Sequence, residues 1–527
     1  LKKINWQAPL KLFDVAQTRQ LEVAAAALNS EPQSLMENAG LAIAKLAMAI
    51  QPFANCHWIF CGPGNNGGDG LEAATHLQAW GQRVQVVLWQ PHSKRPNDSE
   101  KALKKVQSLA IAIQDHLPLP EELQANDLII DALLGVGIRE RAATNAGLEQ
   151  AHQPRLEDWI ANIYAYGPSV LAVDIPSGLN ANTGNFQDEK LQGLSIRATH
   201  TLQLLNAKPG CFTAHGRDAC GTLWLEDLGT EALQENRPSA ALLNHQPLPS
   251  VSSLHASHKG SFGDVAVVGG EPLNVRGMGM TGAVDLAASA ALHAGAGRVM
   301  TCFLSDESSD QSAQQPTSEF ALYHNPVLPE IMPRNFKALH LASGVVVCGC
   351  GGGIAIQKVL PQVLQESKQL VLDADALNAI SQDPWLQDLL KKRSTLNQAT
   401  VITPHPLEAA RLLKTDTAHV QQDRLKAAQS LAAVFDCTVV LKGSGTVIAQ
   451  IAHTSVINPT GNARLATAGT GDVLAGVVGA RMAQGLSAFG AACTAAFEHG
   501  QAADLFEGAS LTASTLAQLI RGPQTAS

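Results

Sequence analysis

Aromatic side chains make up only 4% of this 527-residue chain, and charged ones only 16%. A core short of large rings has to be closed by small residues packed tightly, and a hydrophobic content of 45%, rich in Ala, Val and Leu, supplies them. Positive charge is in deficit. Thirty-seven Lys and Arg face 46 Asp and Glu, giving a net charge of −9 and a pI near 6.0. That balance argues against a nucleic-acid partner gripped by its phosphates. Cysteines are few and odd in number, nine without paired spacing, so reduced thiols are expected rather than a disulfide framework. The first residues, Leu1-Lys-Lys-Ile-Asn-Trp6, lack the apolar run of a secretory signal. A cytoplasmic location is therefore expected. Long hydrophobic runs are missing too. One long uncharged stretch, residues 338–357, is broken by Gly349, Gly351, Gly352 and Gly353, and reads as strand and turn rather than a membrane span.

What is present divides into two halves of α/β pattern. The length exceeds one ordinary core. In the first half, residues 14–50 read as two helices, followed by an apolar strand, His57-Trp-Ile-Phe-Cys-Gly62. That strand opens into a glycine loop, Pro63-Gly-Asn65-Asn66-Gly67-Gly68-Asp69-Gly70, with a helix expected from Leu71 to Trp80. Strand, glycine loop and helix form the unit that holds phosphates on backbone N–H groups. The loop contains G-x-G-x-x-G, but the next strand, Val84 to Trp89, ends in Gln90-Pro91. The acid that a hydride-transfer dinucleotide site needs there is absent. A bare turn would not need Asn65, Asn66 and Asp69.

Two further strands end in carboxylates, Asp127-Leu-Ile-Ile-Asp131 and Ser169-Val-Leu-Ala-Val-Asp174, the latter followed by Ile-Pro-Ser177. In an open parallel sheet the crevice lies beyond the strands' carboxyl ends. Asn66, Asp131, Asp174 and Ser177 should therefore converge. Such oxygen donors, without His or Cys, suit a hard cation, although any one Asp alone is more simply a turn or helix cap. Lys208 either faces the same crevice or is solvated. Residues 229–252 lose all periodicity and read as a linker between domains 1–228 and 253–527.

The second half has two strand-to-glycine turns, Asp264 to Gly270 and Val345 to Gly353, then Leu370 to Asp375, which puts two acids just after a strand, and Thr400 to Glu408, whose strand end carries His405 between two prolines. Lys442-Gly443-Ser444-Gly445-Thr446 ends another strand in a turn suited to a nucleotide, without the spacing of a P-loop. Then comes Asn458 to Gly476, crowded with glycine and hydroxyl residues and closed by Asp472. A glycine loop opening a helix is an anion hole. A carboxylate in its mouth suits a base for phosphoryl transfer.

These motifs, in this order, resemble the bifunctional NAD(P)HX repair family. Leu35 to Gly40, Gly64 to Gly70, Asp131 to Gly137 and Val173 to Gly178 are similar to its epimerase domain. Lys259 to Gly263, Thr281-Gly-Ala283, Asp373 to Asn378, Thr403 to Pro406, Lys442-Gly443 and Ala468 to Asp472 are similar to its dehydratase domain. The resemblance implies a Rossmann-like αβα domain followed by a ribokinase-like αβα domain. It also implies epimerisation of R and S NADHX and NADPHX, then dehydration of the S form using ADP.

The site residues that follow by resemblance are these. Asn65, Asn66, Gly67, Gly68, Asp69, Gly135, Val136, Gly137, Ile138, Arg139, Glu140, Arg141 and Asp174 would hold the hydrated dinucleotide. Asn66, Asp131 and Ser177 would bind K⁺. Asp131 or Asp174 would be the epimerase acid/base, with Lys208 behind them. Ala283, Gly351, His405 and Asp472 would bind the S epimer, and Lys442, Gly443, Ser444, Gly445, Thr446 and Gly471 would bind ADP, or ATP, with Mg²⁺. Asp472 would be the dehydratase base. A homo-oligomer without membrane or nucleic-acid partners is expected. One stretch departs from the pattern: Gly349-Cys350-Gly351-Gly352-Gly353 stands where the family usually has Gly-Pro-Gly-Leu-Gly, so a proline's stiffening is missing. Two rivals share some of these features. A sugar or vitamin kinase would carry the same Gly-Thr-Gly-Asp and Lys442 turn. An inactive nucleotide-binding scaffold would have lost its strand-end polar residues.

Overall fold

The computed structural model describes residues 1–6, 8–28, 34–136, 155–165, 168–186, 194–235, 237–244, 255–304 and 328–521. The chain forms two compact units, residues 1–6 with 10–241, and residues 7–9 with 242–527. The division falls at Ala241/Leu242, inside the span read as a linker. That span carries a short helix, Glu231–Glu235, and a strand, Ala241–Leu243. Its Leu242 and Leu243 pair in parallel with Val456 and Ile457. A three-residue apolar run is too short to show a period, so only its partner strand reveals it.

The eight-stranded sheet of the first unit holds β1 (Lys2–Lys3), β2 (His57–Cys61), β3 (Val84–Leu88), β4 (Ala112–Gln114), β5 (Leu128–Ala132), β6 (Ser169–Val173), β7 (His200–Leu204) and β8 (Thr222–Glu226). They lie in the order β1-β8-β7-β6-β5-β2-β3-β4. All pairs are parallel except β1 with β8. Because side chains alternate across a strand, β5 sends Leu128 and Ile130 to one face and Ile129 to the other. The first face packs on α2 (Leu35–Ile50), α3 (Asn65–Ala79) and α4 (Asn97–Ser108) through Ile43, Leu71 and Val106. The second packs on α5 (Leu156–Ala165) through Trp159 and Ile160. This is the three-layer αβα arrangement the sequence leads one to expect. The helix α1 (Val15–Leu28) precedes these layers.

The second unit is built likewise on β9 (Ala241–Leu243), β10 (Asp264–Gly269), β11 (Arg298–Phe303), β12 (Met332–Pro333), β13 (Val345–Cys348), β14 (Gln369–Leu372), β15 (Ala399–Ile402), β16 (Thr438–Leu441), β17 (Val447–Ala449) and β18 (Val456–Ile457). Their order is β12-β11-β10-β13-β14-β15-β16-β17-β18-β9. The run from β12 to β16 is parallel, while β17 is antiparallel to both neighbours. One face carries α6 (Thr281–His293), α10 (Thr470–Ala483) and α11 (Ala488–Asp504), closed by small residues such as Ala287, Ala291, Val477 and Ala495. The other carries α7 (Ile356–Glu366), α8 (Ala374–Gln382) and α9 (Pro406–Leu413) through Leu360, Leu377 and Ala410. Scarcity of aromatics becomes proximity here: a Cβ on Gly476 of α10 would come 2.0 Å from the carbonyl oxygen of Ala287 on α6. Among the described residues no helix is long and apolar enough to cross a membrane. All nine cysteines are buried and free of disulfides.

Candidate functional site

The chain lays β3 and β4 on one side of β2 and then returns to place β5 on the other. At such a switch the connections after the two strands diverge and leave a crevice. The asparagine–glycine motif lines it, but not as the loop that its composition suggests. α3 starts at Asn65, with Gly64 as its N-cap. The glycines serve close approach: a Cβ on Gly67 would sit 1.9 Å from the carbonyl oxygen of Gly62, and one on Gly70 would sit 2.7 Å from Ala132 Cβ. Glycine's low helix propensity is overridden by packing against the strand ends. The first amides of α3, lacking intrahelical acceptors, open at the helix's positive end.

Across the crevice, the side-chain N–H of Asn66 donates to the carbonyl oxygen of Leu134 at 2.9 Å. A Cβ on Gly135 would lie 3.1 Å from the Asn66 side chain. Asp131, wholly buried, accepts from the Ser177 amide at 2.8 Å, the Ser177 hydroxyl at 2.7 Å and the Leu133 amide at 3.2 Å. Ser177 Oγ in turn accepts from the Leu134 amide at 2.9 Å. So Asn66, Asp131 and Ser177 do meet, around the backbone 133–135. Burial pushes the Asp131 carboxyl up to about 6, against the pull of those hydrogen bonds. Half-buried Gly135 and Val136 edge the same crevice, while Gly137, Ile138, Arg139, Glu140 and Arg141 lie outside the described residues.

Asp174 is the other epimerase candidate. Its φ of +65° is uncommon for a non-glycine residue. The turn brings its Oδ1 to the Leu204 amide at 3.2 Å and to the ammonium of Lys208. Lys208 is fully buried and also donates to the Leu204 carbonyl oxygen at 2.6 Å. Of its two readings, the crevice one is what the fold adopts. Two more carboxyls feel this pair. Asp69 is raised well above the ordinary carboxylate range, first by burial and then by the Asp174 charge. Glu22 of α1 is raised by the same two causes. Nothing in the sequence marks Glu22, which belongs to an otherwise plain Ala-rich helix.

The second unit repeats the switch, now between β10 and β13, with β11 and β12 laid on the far side. The amide of Gly270 donates to the carbonyl oxygen of Cys350 at 3.0 Å, and that of Glu271 to Gly351 at 2.6 Å. Gly351 has φ +56°, and a Cβ there would fall 3.0 Å from Ala283 Cβ. Ala283 and Gly351 are thereby brought together. The loop 349–353 has no proline, yet it is held. Buried Glu271 accepts from the amides of Ile354 at 2.9 Å and Ala355 at 3.3 Å, and Asp375 accepts from that of Gly353 at 2.8 Å.

Asp472 lies in the first turn of α10, whose N-cap, Gly469, has φ +89°. His499 fixes this turn through a hydrogen bond to the Thr470 carbonyl oxygen at 2.9 Å, and burial lowers the imidazole to about 4. Lys442 Nζ donates to Asp373 Oδ1 at 2.7 Å, an oxygen that also accepts from the Thr403 hydroxyl at 2.8 Å. The ammonium lies only 3.3 Å from where a Cβ on Gly471 would be. A cation and a helix N-terminus therefore share one spot, as an anion site requires. Burial, then the Asp373 charge, lifts the Asp472 carboxyl to about 7, while a hydrogen bond from Cys350 and the Lys442 charge pull the other way.

Gly443 and Gly445 take φ of +135° and +63° in a turn backed by the buried Arg424 guanidinium, which donates to the carbonyl oxygens of Leu441 at 3.2 Å and Lys442 at 3.1 Å. Gly443 and Ser444 are exposed there, and the Thr446 hydroxyl closes the turn on Gly443 at 3.1 Å. His405 is the N-cap of α9: its Nδ1 accepts from the amides of Leu407 at 3.1 Å and Glu408 at 3.4 Å. Its ring is 45% exposed, and Nε2 lies 3.2 Å from Glu408 Oε1. Lys442 reaches this strand end too, its amide donating to the Pro404 carbonyl oxygen at 2.9 Å. Asp373, Glu271 and His499 carry structural parts that sequence motifs alone did not assign.

Fold and sites thus define a chain of two fused α/β units, each with a helix N-terminus and carboxylates at its topological switch. Residues 32–210 match the family model described as YjeF-related protein N-terminus, and residues 273–523 the one described as NAD(P)H-hydrate dehydratase. The chain is 35% identical over 482 residues to the bifunctional NAD(P)H-hydrate repair enzyme Nnr of Escherichia coli, covering 89% of this chain and 84% of that one. The Coxiella burnetii repair enzyme is 33% identical over 504 residues, 94% of each chain. The ADP-dependent (S)-NAD(P)H-hydrate dehydratase of Neisseria meningitidis is 44% identical over 268 residues, 50% of this chain and 83% of that one. The chain belongs to the bifunctional NAD(P)H-hydrate repair enzyme family.

Proposed function

We propose that the first unit interconverts the R and S forms of hydrated NADH and NADPH, and that the second returns the S form to NAD(P)H using ADP. The observation that carries this reading is Asp472: a carboxyl held at about 7, beside a lysine and the open amides of α10. A base works best with its pKa near the working pH. Hydroxide is a poor leaving group, so the ring hydroxyl is first phosphorylated. Its oxygen attacks the terminal phosphorus of ADP, Asp472 takes the proton, and AMP departs. Lys442 and the Gly471 amide stabilise charge on the transferring group. The ring C–O bond then breaks, phosphate leaves with the electron pair, and loss of a ring proton restores the dihydropyridine. Ala283, Gly351 and His405 surround the substrate, and Lys442 to Thr446 hold the nucleotide, where Mg²⁺ would neutralise charge developing in the transfer. ATP serves in the same way if its terminal phosphoryl is the one transferred.

In the first unit Asn65 to Asp69 and residues 135–141 hold the dinucleotide. Asp69, raised well above the ordinary carboxylate range, gives a proton to the departing hydroxyl. Asp174, paired with Lys208, takes one from the water that returns on the other face. Asp131, buried under three donors, is better suited to holding than to proton transfer. The oxygens of Asn66, Asp131 and Ser177 fit a hard cation, and K⁺ there would supply positive charge beside the pyrophosphate. A cytoplasmic homo-oligomer completes the reading.

The test mixes hydrated NADH epimers with the protein and ADP and follows the return of NADH absorbance. Asp472→Asn should keep ADP binding and stop that return. Turnover of simple alcohols in place of hydrated NADH would instead favour a sugar or vitamin kinase. Epimerisation unchanged when K⁺ is replaced by a bulky organic cation would remove K⁺ from the scheme.

A further inference from the structure

Position 350 holds a cysteine in the middle of the glycine loop, and it lies against Asp472. Cys350 is wholly buried. Its Sγ and carboxylate oxygens of Asp373 and Asp472 lie within 4.8 Å of one another. Burial and those two carboxylates keep the thiol protonated, far above the usual thiol range. A protonated thiol has one hydrogen to give. Lys442, the nearby cation, already donates to Asp373.

We propose that Cys350 is a positioning residue for the dehydration, its S–H donating to the Asp472 carboxylate so that the base stays ionised and fixed toward the incoming hydroxyl. This rests on the reading of Asp472 as the base. A donor to the charged form favours that form. The remaining groups around Asp472 are accounted for. Asp373 and Asp375, after β14, disfavour its charge, and Lys442, after β16, favours it. Glu408 of α9 acts on Lys442. His499 of α11 is neutral and committed to Thr470. The thiol is thus a donor that a proline or an apolar residue at this position could not supply. The loop tolerates it because the Asp375 amide holds the Gly349 carbonyl oxygen before it, and the Asp375 and Glu271 carboxylates hold the amides of Gly353 and Ile354 after it.

The experiment is the pH profile of kcat/KM for ADP-driven dehydration by the full chain, wild type against Cys350→Ala and Cys350→Ser. Losing the donor should move the acidic limb of Cys350→Ala upward by about half to one pH unit, a fall of about 3- to 10-fold at pH 6, with rates converging above pH 8. Cys350→Ser keeps a donor and should restore the limb. Epimerase activity and ADP affinity should not change in either. If Cys350→Ala does not fold, Cys350→Val removes the donor while filling the space. An unmoved limb in the donor-free variant, or the same loss at every pH in both variants, overturns the proposal. If Asp472→Asn still dehydrates at the normal rate, it is the base assignment that fails. An inactive Asp472→Asn with an unmoved limb in Cys350→Ala sinks only the role of the thiol.

Discussion

The two units solve the same problem with carboxylates treated in opposite ways. In each, a helix N-terminus abuts the strand pair where the chain changes direction across the sheet. In the first unit the acids are heavily engaged: Asp131 accepts three hydrogen bonds, and Asp174 is tied to Lys208 and the Leu204 amide. In the second, Asp373 takes the lysine and the threonine hydroxyl, and Asp472 is left to the thiol. The acid that the protein satisfies most fully holds structure together. In the proposed dehydration the least engaged acid of the second unit, Asp472, is the one that takes the proton.

Asp472→Asn is the strongest challenge to that contrast. It should lower dehydration by about 10²–10⁴-fold, the usual worth of a general base, while calorimetry shows ADP still binding. Asp174→Asn comes next. Epimerisation, followed by the interconversion of separated R and S forms, should fall by about 10²-fold or more, with dehydration of the S form untouched. If Asp131→Asn instead cost more rate than stability, the assignment of holding and reacting acids in the first unit would be reversed.

Gly67→Ala sharpens the packing side of the comparison. With a Cβ forced to 1.9 Å from a carbonyl oxygen, denaturant unfolding should register a loss of about 1–3 kcal/mol, the ordinary cost of overpacking. Dehydration should survive.

The smallest effect is a pH dependence. A carboxyl whose native pKa is raised binds its proton more tightly when folded. It therefore supports folding below its ordinary value of 3.8, and that support is lost as pH rises through the native value, about 7 for Asp472. Asparagine cannot titrate. The melting temperature of Asp472→Asn relative to wild type should therefore climb between pH 4 and pH 7 and level off above. A flat difference would mean the carboxyl is not held near neutrality.

Much of this was legible in advance, because buried parallel strands are apolar runs and the polar residue after each is where the crevice opens. Asp131, Asp174 and Asp373 were found that way. The start of α3 was not, since five consecutive residues of asparagine and glycine followed by aspartate argue for a loop until the strand ends they pack on are known. Nor was Ala241–Leu243, whose identity depends on a partner more than 200 residues away. His405 was read as a pocket residue, but the spacing His405-Pro-Leu-Glu408 is also that of a capping box, and the structure uses it so. Glu22 left no local mark. Its environment is made by Asp174 and Lys208, far along the chain.

The glycine loop after β13 keeps its shape through acceptor atoms on Glu271 and Asp375 rather than through a pyrrolidine ring. A scaffold fastened from outside frees one codon in its middle. Substitution at that codon can retune the acidity at which repair runs, without redrawing the backbone around it.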